Sequence, residues 1–318
     1  MVHRRLSTAR APRTTKAYRS AVRSYERACQ HIGMEAWPAT ETKLISYVSY
    51  AHETFQLSPR TLNSYVSAIA FNHRLQGWEN PRQGHGLLHL ILDSCGRMDH
   101  AAGRGPRIRR GISGSDLHRI IASLDLTNFR EARFALYASF SYFGGFRANE
   151  LVAQTGLAQF CWEDLSFFPN AANPEYLLIR QRISKPSQSG PTIYIPICRT
   201  DGLTCPVALL RNYMRMVPHR PLNGKVFTES PQPGSRGFTY PQALHDTRKF
   251  SGILGIRPEE LGTHSFRIGL ATEAGRLNLP EYRVMGLGRW RSNSYLRYVR
   301  DEDLLEMART TARLAGSL

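Results

Sequence analysis

Apolar side chains recur at helical spacing through residues 14–100, and this pattern predicts a small bundle of helices. In the first helix an apolar face runs beside a separate stripe of arginines, so one face packs while the other remains available to a partner. The apolar positions are Tyr18, Val22, Tyr25 and Cys29, and the arginines are Arg19, Arg23 and Arg27. Further helices are predicted at 42–55, at 87–92, and after Ser58, a cap followed by Pro59 at the first helical position.

Hydrophobic patterning in the second half of the chain predicts mostly helices and one β-hairpin. Two short β-rich runs, EYLLIRQRI at 175–183 and PTIYIPI at 191–197, flank the turn-rich sequence KPSQSG. The helices predicted around this hairpin are 113–124, 128–143, 206–216, 240–254, 265–277, 280–287 and 301–314. The predicted fold class is therefore mainly α with a small antiparallel β-sheet.

Two stretches without apolar periodicity divide the chain. Residues 1–13 are basic and indicate a flexible arm that touches phosphates or, equally well, a solvated tail. Residues 101–112 are rich in Gly, Pro and Arg, which predicts a basic linker. The arginines of this linker are Arg104, Arg107, Arg109 and Arg110. The resulting organisation is a helical domain at 14–100 and a second domain at 113–318.

The charge of the chain points to a polyanionic partner. Its 318 residues include 42 Lys and Arg against 25 Asp and Glu, which gives a formal net charge of +17. Phosphate contacts with counterion release favour nucleic acid, although charge alone does not separate DNA from RNA or from a membrane surface. The longest strongly apolar stretch, 134–146, is too short to span a bilayer. Five cysteines without a CxxC pair indicate core thiols of a reduced, intracellular protein and no zinc site.

Four segments of the second half carry side chains suited to a DNA phosphodiester. They are GGFRANEL at 144–151, RISKP at 182–186, GTHSFR at 262–267 and GRWRSNSYLRYVR at 288–300. Arginine forks donate paired hydrogen bonds to phosphate oxygens as negative charge builds on them. Glu150 stands three residues after Arg147 and either orients that guanidinium or forms an ordinary surface ion pair. His264 and Arg267 have the same spacing, at the start of a predicted helix whose positive end suits an anion.

The order and spacing of these segments resemble the tyrosine recombinase (integrase) family over nearly the whole chain. The resemblance implies that Arg147 and Arg267 clamp the phosphate, and that His264 helps deprotonate the nucleophile or holds the phosphate. It also implies that Lys185 protonates the leaving 5′ oxygen, with nearby Arg182 as a competitor. Tyr298 is the implied nucleophile, which forms a 3′-phosphotyrosine, and Tyr295 is its rival.

One position of the family pattern stays open. Trp290 corresponds to a site where relatives carry His or Trp, but its distance to Tyr298 is one residue short of the expected step, and counting from Arg289 restores it. Plain core packing of Trp290 is a further alternative. The segments 14–33 and 57–77 also resemble the core-binding domain of this family, particularly the versions in DIRS-like and Crypton-like mobile elements.

The resemblance implies a site-specific recombinase that grips duplex DNA as a two-domain, C-shaped clamp of a core-binding domain and a tyrosine recombinase catalytic domain. It would cleave and rejoin strands without a metal or a cofactor. A homo-oligomer, a tetramer on paired sites, is expected, with the helix at 301–314 docking on a neighbour or on its own domain. The alternatives are a type IB topoisomerase-like enzyme and a non-catalytic DNA-binding descendant. The expected location is the nucleus in a eukaryote and the cytoplasm or nucleoid in a prokaryote.

Overall fold

A computed structural model of the chain describes residues 12–83, 86–105, 109–153, 160–181 and 192–290. Within them, helices form where the sequence repeats apolar residues every three or four positions. The chain divides into two compact units, Met1–Pro106 and Arg107–Leu318. The architecture is mainly α with one small antiparallel sheet, so the predicted fold class is confirmed.

The first unit is helical throughout its described secondary structure. Its helices are α1 (Pro12–His31), α2 (Glu41–Glu53), α3 (Pro59–Gln76) and α4 (Leu87–Ala101). Side chains cap two of the starts: Thr40 accepts a hydrogen bond from the Lys43 amide and Ser58 accepts one from the Thr61 amide. In the core, Tyr25 of α1 meets Tyr47 of α2 edge to face, with ring centroids 5.4 Å apart.

The second unit is built around one central helix. Its helices are α5 (Gly114–Ala122), α6 (Phe129–Phe143), α7 (Ala148–Leu151), α8 (Pro206–Met216), α9 (Tyr240–Phe250), α10 (Ser265–Arg276) and α11 (Glu281–Gly288). Residues 132–142 of α6 are all buried, because α5, α8, α9 and α10 pack around this helix. Short 3-10 turns lie at Trp162–Asp164, Ser251–Leu254 and Pro258–Glu260.

Three antiparallel strands form the sheet in the order β1-β2-β3. They are β1 (Leu165–Phe168), β2 (Tyr176–Gln181) and β3 (Ile193–Cys198). Alternate residues face the core: Leu177 pairs with Ile197 and Ile179 with Ile195, and all four are buried. The predicted pairing of the two β-rich runs is confirmed, whereas β1 is an additional strand that the sequence pattern does not predict.

Residues 109–112, at the end of the predicted linker, lie against the segment that leads into α10. The Arg110 amide donates to the Glu260 carbonyl at 2.8 Å, and the Ile112 amide donates to the Ser265 carbonyl at 2.9 Å. Gly269 permits this approach, because a Cβ at that position would stand 1.7 Å from the Ile112 carbonyl oxygen. The start of the second unit is therefore fastened directly beside the GTHSFR segment.

Three chemical features complete the description. In the part of the chain that the structure describes, no helix is both long enough and apolar enough to cross a membrane. Within the same residues, no group of three His, Cys, Asp or Glu is placed to hold a metal ion. The cysteines are free thiols, and four of them are buried as predicted, whereas Cys198 is exposed on β3.

Candidate active site

A turn of two glycines delivers Arg147 to the site. Gly144 ends α6, and Gly145 has a left-handed backbone with φ +53°. A Cβ on Gly144 would lie 2.4 Å from the Phe146 ring, and one on Gly145 would lie 2.9 Å from both Leu270 Cδ2 and the Leu287 carbonyl oxygen. The sequence Gly144-Gly145 is thus dictated by close packing, and it turns two carbonyl groups toward residues that come from the far end of the unit.

Arg147 and Glu150 form a closed pair at the start of α7. Arg147 is the N-cap of this helix: its amide donates to Glu150 Oε2 and its Nη1 donates to Glu150 Oε1, each at 2.9 Å. The Glu150 side chain is 4% exposed and that of Arg147 is 22% exposed, so the pair differs from an ordinary surface ion pair. Burial by itself raises the pKa of Glu150, but Arg289 and Arg147 outweigh it and hold that pKa below the ordinary value.

Arg289 reaches the same carboxylate from the other side. Its Nη2 lies 2.9 Å from Glu150 Oε2, and its Nη1 donates to the Gly144 carbonyl at 2.6 Å. Nη2 also donates to the Gly145 carbonyl at 3.1 Å, and the guanidinium lies 5.0 Å from the centroid of the Phe146 ring. Arg289 Nε is buried without a hydrogen-bond partner. Burial lowers the pKa of Arg289, and Glu150 opposes that shift.

Arg267 is a fully buried arginine on α10. Its side chain donates from Nη1 to the Gly145 carbonyl and from Nη2 to the Gly288 carbonyl, and the residue is 1% exposed. The guanidinium carbon lies 4.3 Å from the centroid of the Trp290 ring. In this arrangement the guanidinium binds two protein carbonyl groups within the fold. Its assignment as the second phosphate clamp stays a prediction.

Trp290 and Arg289 face different partners, although they are adjacent. Trp290 is 7% exposed and packs with Ala271, Ala274 and Val284 as well as with Arg267. A Cβ on Gly288 would stand 1.8 Å from the indole ring, so that glycine is needed for the ring to fold back. The Trp290 ring therefore packs against the Arg267 guanidinium, while the Arg289 guanidinium lies beside the Glu150 carboxylate.

His264 precedes α10 as its N-cap residue and keeps exposed surface. Partial desolvation of the imidazole, followed by the positive charges of Arg267, Arg147 and Arg109, lowers the pKa of His264, while Glu150 acts in the opposite direction. The imidazole is therefore neutral at physiological pH and has a ring nitrogen able to accept a proton. His264 and Arg267 do not share one surface: the first is exposed and the second is buried.

Several predicted residues fall outside the described parts of the chain. These are Lys185 with its competitor Arg182, Tyr298 with its rival Tyr295, and Arg107. The arm at 1–11 and the helix predicted at 301–314 also lie outside them. Their roles stay predictions.

The predicted DNA-binding arginines occupy different surroundings. Arg19, Arg23 and Arg27 are exposed on α1, and Arg27 lies 4.2 Å from the centroid of the Phe55 ring. Arg104 pairs with Asp99 at 3.1 Å. Arg109 and Arg110 are exposed.

Sequence reasoning missed the carbonyl acceptors of the site. The Gly144 and Gly145 carbonyls receive arginines from α10 and from the segment after α11, and nothing in the local sequence shows this pairing. The available signal was the glycine pair itself, because adjacent glycines mark a close approach of backbone to another group.

The chain as a whole is similar in sequence and in fold to known proteins. No protein-family model matches the sequence. The chain is 24% identical over 321 residues to an integrase/recombinase xerD homolog from Selenomonas ruminantium, a match that covers 95% of this chain and 86% of that protein. The XerH site-specific recombinase in a post-cleavage complex with palindromic difH substrate shares the fold, with a TM-score of 0.59 and 16% identity over 86% of this chain and 72% of that chain. So does the Tn1549 transposon integrase in complex with transposon right end DNA, with a TM-score of 0.58 and 11% identity over 93% of this chain and 99% of that chain. Sequence and fold thus point to the same family, and the resemblance inferred from the motifs is confirmed.

Proposed function

We propose that this chain, a relative of the tyrosine recombinases by sequence and by fold, is a site-specific DNA recombinase that cleaves and rejoins duplex DNA through a covalent 3′-phosphotyrosine. The relatives support the substrate class: XerH was captured with its difH substrate after cleavage, and the Tn1549 integrase with transposon end DNA. The net charge of +17 fits the same partner.

The observation that carries this proposal is the excess of positive charge around the Gly144-Gly145 turn. Arg147, Arg267 and Arg289 come together there from separate segments, and the Glu150 carboxylate binds two of them, Arg147 and Arg289. Buried charges are costly unless they are compensated, and guanidinium groups gathered at one turn attract an anion. A phosphodiester supplies that charge in a geometry that arginine forks recognise.

The proposed chemistry needs no external energy source. The Tyr298 oxygen attacks phosphorus and loses its proton to His264, whose pKa is lowered by partial burial and by the surrounding cations, so that the ring is neutral before the reaction. The bond from phosphorus to the 5′ oxygen breaks as the new phosphotyrosine bond forms, and Lys185 gives a proton to the departing oxygen. Arg147 and Arg267 stabilise the charge that builds on the non-bridging oxygens, while Glu150 fixes Arg147 and Arg289. Attack by a 5′ hydroxyl on the phosphotyrosine reverses these steps and rejoins a strand.

The two halves of the chain receive different tasks in this proposal. Residues 14–100 form the core-binding domain, with Arg19, Arg23 and Arg27 along the DNA backbone, and residues 113–318 carry catalysis. The basic arm at 1–13 and the linker at 101–112 contribute phosphate contacts, and the halves close on the duplex as a C-shaped clamp. Recombination joins two sites, so four protomers act together on paired duplexes.

A covalent-adduct experiment tests the proposal. The full-length protein is incubated with duplexes that contain random sequence or DNA flanking its own gene, and denaturing gels then reveal protein bound to DNA. An adduct is expected from the wild type and from Tyr295→Phe, and none from Tyr298→Phe. Native binding without an adduct in the wild type would contradict the enzyme proposal and favour a DNA-binding descendant. Relaxation of an unrelated supercoiled plasmid would contradict site specificity and favour a topoisomerase-like enzyme.

A further inference from the structure

The end of the predicted linker is hydrogen-bonded to the backbone on both sides of His264. Along this contact the Arg110 amide donates to the Glu260 carbonyl at 2.8 Å, and Arg109 Nη1 donates to the Leu261 carbonyl at 3.0 Å. The Ile112 amide donates to the Ser265 carbonyl at 2.9 Å. These bonds bracket His264 on both sides in sequence. A residue bracketed in this way has little freedom to move its backbone independently of the linker end.

The Arg109 side chain fills the space beside Gly262. A Cβ built on Gly262 would stand 2.1 Å from Arg109 Nη1 and 2.9 Å from its guanidinium carbon. The backbone of Gly262 does not lie in the left-handed region, so conformational freedom does not explain the glycine there. The missing side chain leaves room for the guanidinium of Arg109. The Leu261–His264 turn and Arg109 are therefore fitted to each other.

Arg109 differs from Arg104, Arg147 and Arg267 in what its side chain contacts. Arg104 is paired with Asp99, at 3.1 Å, and Arg147 is paired with Glu150. Arg267 is buried against backbone carbonyls. Arg109 holds the turn through one N–H group while the residue remains exposed, next to an imidazole that is itself exposed. Arg109 thus combines a hydrogen bond to the Leu261 carbonyl with a positive charge that acts on the His264 imidazole.

We infer that Arg109 is a positioning residue for His264, which holds the Leu261–His264 turn in place and adds a fixed positive charge beside the imidazole. Its contribution to strand cleavage then exceeds that of a linker arginine that only contacts the DNA backbone. This inference rests on the proposed function for its kinetic consequence, whereas its structural consequence is measurable without DNA.

The first experiment removes the Arg109 side chain and measures the rate of strand cleavage. Arg109→Ala should lower the single-turnover rate of adduct formation, at saturating protein, by roughly ten- to a hundredfold, as expected for a misplaced catalytic group. The matched control is Arg257→Ala, another exposed arginine near the same turn whose Nε donates to Glu260 at 2.9 Å, and its rate should stay at the wild-type value. Arg109→Lys keeps the positive charge and should recover part of the rate. Melting temperatures show whether each variant is folded.

The imidazole gives a second reading in DNA-free protein. An NMR titration of His264 should show its pKa rising in Arg109→Ala, because a positive neighbour that disfavours protonation is gone. The other charged groups that act on the ring are the same in the wild type and in Arg109→Ala: Arg267, Arg147 and Glu150. Arg109→Lys should stay close to the wild type. An unchanged titration in Arg109→Ala would overturn the inference whatever the protein does to DNA. A wild type without any adduct contradicts the proposed function and leaves this reading intact.

A double-mutant cycle separates the specific contact from general damage. Gly262→Ala places a methyl group where the Arg109 guanidinium lies, so it should reproduce the rate loss of Arg109→Ala. With Arg109 already removed, Gly262→Ala should have little further effect, because the obstructing group is absent. Strict additivity of the two losses, or a loss in Arg257→Ala equal to that in Arg109→Ala, would show that Arg109 does not position His264.

Discussion

Replacing Glu150 by Gln tests whether the carboxylate holds the arginines together. The carboxylate is 4% exposed and lies 2.9 Å from both Arg147 Nη1 and Arg289 Nη2. The amide keeps the shape of the side chain but removes the charge and turns an NH2 group toward a guanidinium. Removing one partner of a buried ion pair costs about 3–5 kcal/mol. Because Arg147 is 22% exposed, the lower end, about 3 kcal/mol, is expected in the free energy of unfolding. In a unit of this size that loss lowers the melting temperature by roughly 6–12 °C.

The same molecule contains a matched control. Arg257 and Glu260 form a second pair at (i, i+3) spacing, with side chains that are 79% and 32% exposed. Glu260→Gln should cost no more than about 1 kcal/mol, because exposed pairs contribute little. Thermal and urea unfolding of the wild type and both variants measures the comparison. Equal losses in Glu150→Gln and Glu260→Gln would refute the reasoning that burial makes the Glu150 contact valuable.

The pH dependence of this loss has a definite sign. The folded protein lowers the pKa of Glu150, so the ionised carboxylate stabilises the fold at neutral pH. This contribution is fully present above the pKa of the unfolded chain and disappears as the pH falls through the lower pKa of the folded state. The difference in unfolding free energy between wild type and Glu150→Gln should therefore shrink in acid. A difference that stays constant down to strongly acidic pH would show that shape, and not charge, carries the effect.

Two further predictions concern Trp290 and the arginines of α1. Trp290→Ala should destabilise the second unit by about 3–5 kcal/mol because the indole no longer packs against Arg267, while Trp290→Phe should retain more than half of that stability in thermal unfolding. Replacing Arg19, Arg23 or Arg27 by Gln should weaken DNA binding at all sequences alike. Each replacement that frees one phosphate should also reduce the slope of log affinity against log salt by about one, as measured by fluorescence titration.

Local signals predicted the elements of the fold well. The helix Pro206–Met216 matches its prediction residue for residue, because a proline at its start and a regular apolar face define it without outside help. Strand β1 was missed because Leu165–Phe168 is four residues long and is recognisable only through its pairing with β2. Strand pairing is a tertiary property, and a run this short carries too little periodicity to show it.

The site divides in the same way. Motif spacing singled out Arg147, His264 and Arg267 as chemically important, and in the structure both arginines lie close enough to His264 to act on it electrostatically. Spacing did not decide between Arg289 and Trp290, and that choice stays open. Nor did it show that Arg289 meets Glu150, a residue more than a hundred positions earlier. It also gave no sign that Arg267 would be buried, since its acceptors are backbone carbonyls, which look alike at every position of a sequence.

The contacts between residues 109–112 and 260–265 also bear on how the protein is made. The ribosome synthesises the chain from its N-terminal end, so about 150 further residues are added after Arg110 before the Glu260 carbonyl that accepts its hydrogen bond is made. A similar length of chain separates Gly144 from Arg289, the donor to its carbonyl group. Contacts of such high sequence separation form late. Arg147 therefore leaves the ribosome together with Glu150, whereas Arg289, the other partner of that carboxylate, emerges only near the end of the unit. A nascent chain that stalls before residue 289 lacks Arg289, so neither the Gly144 carbonyl nor Glu150 has yet met that guanidinium.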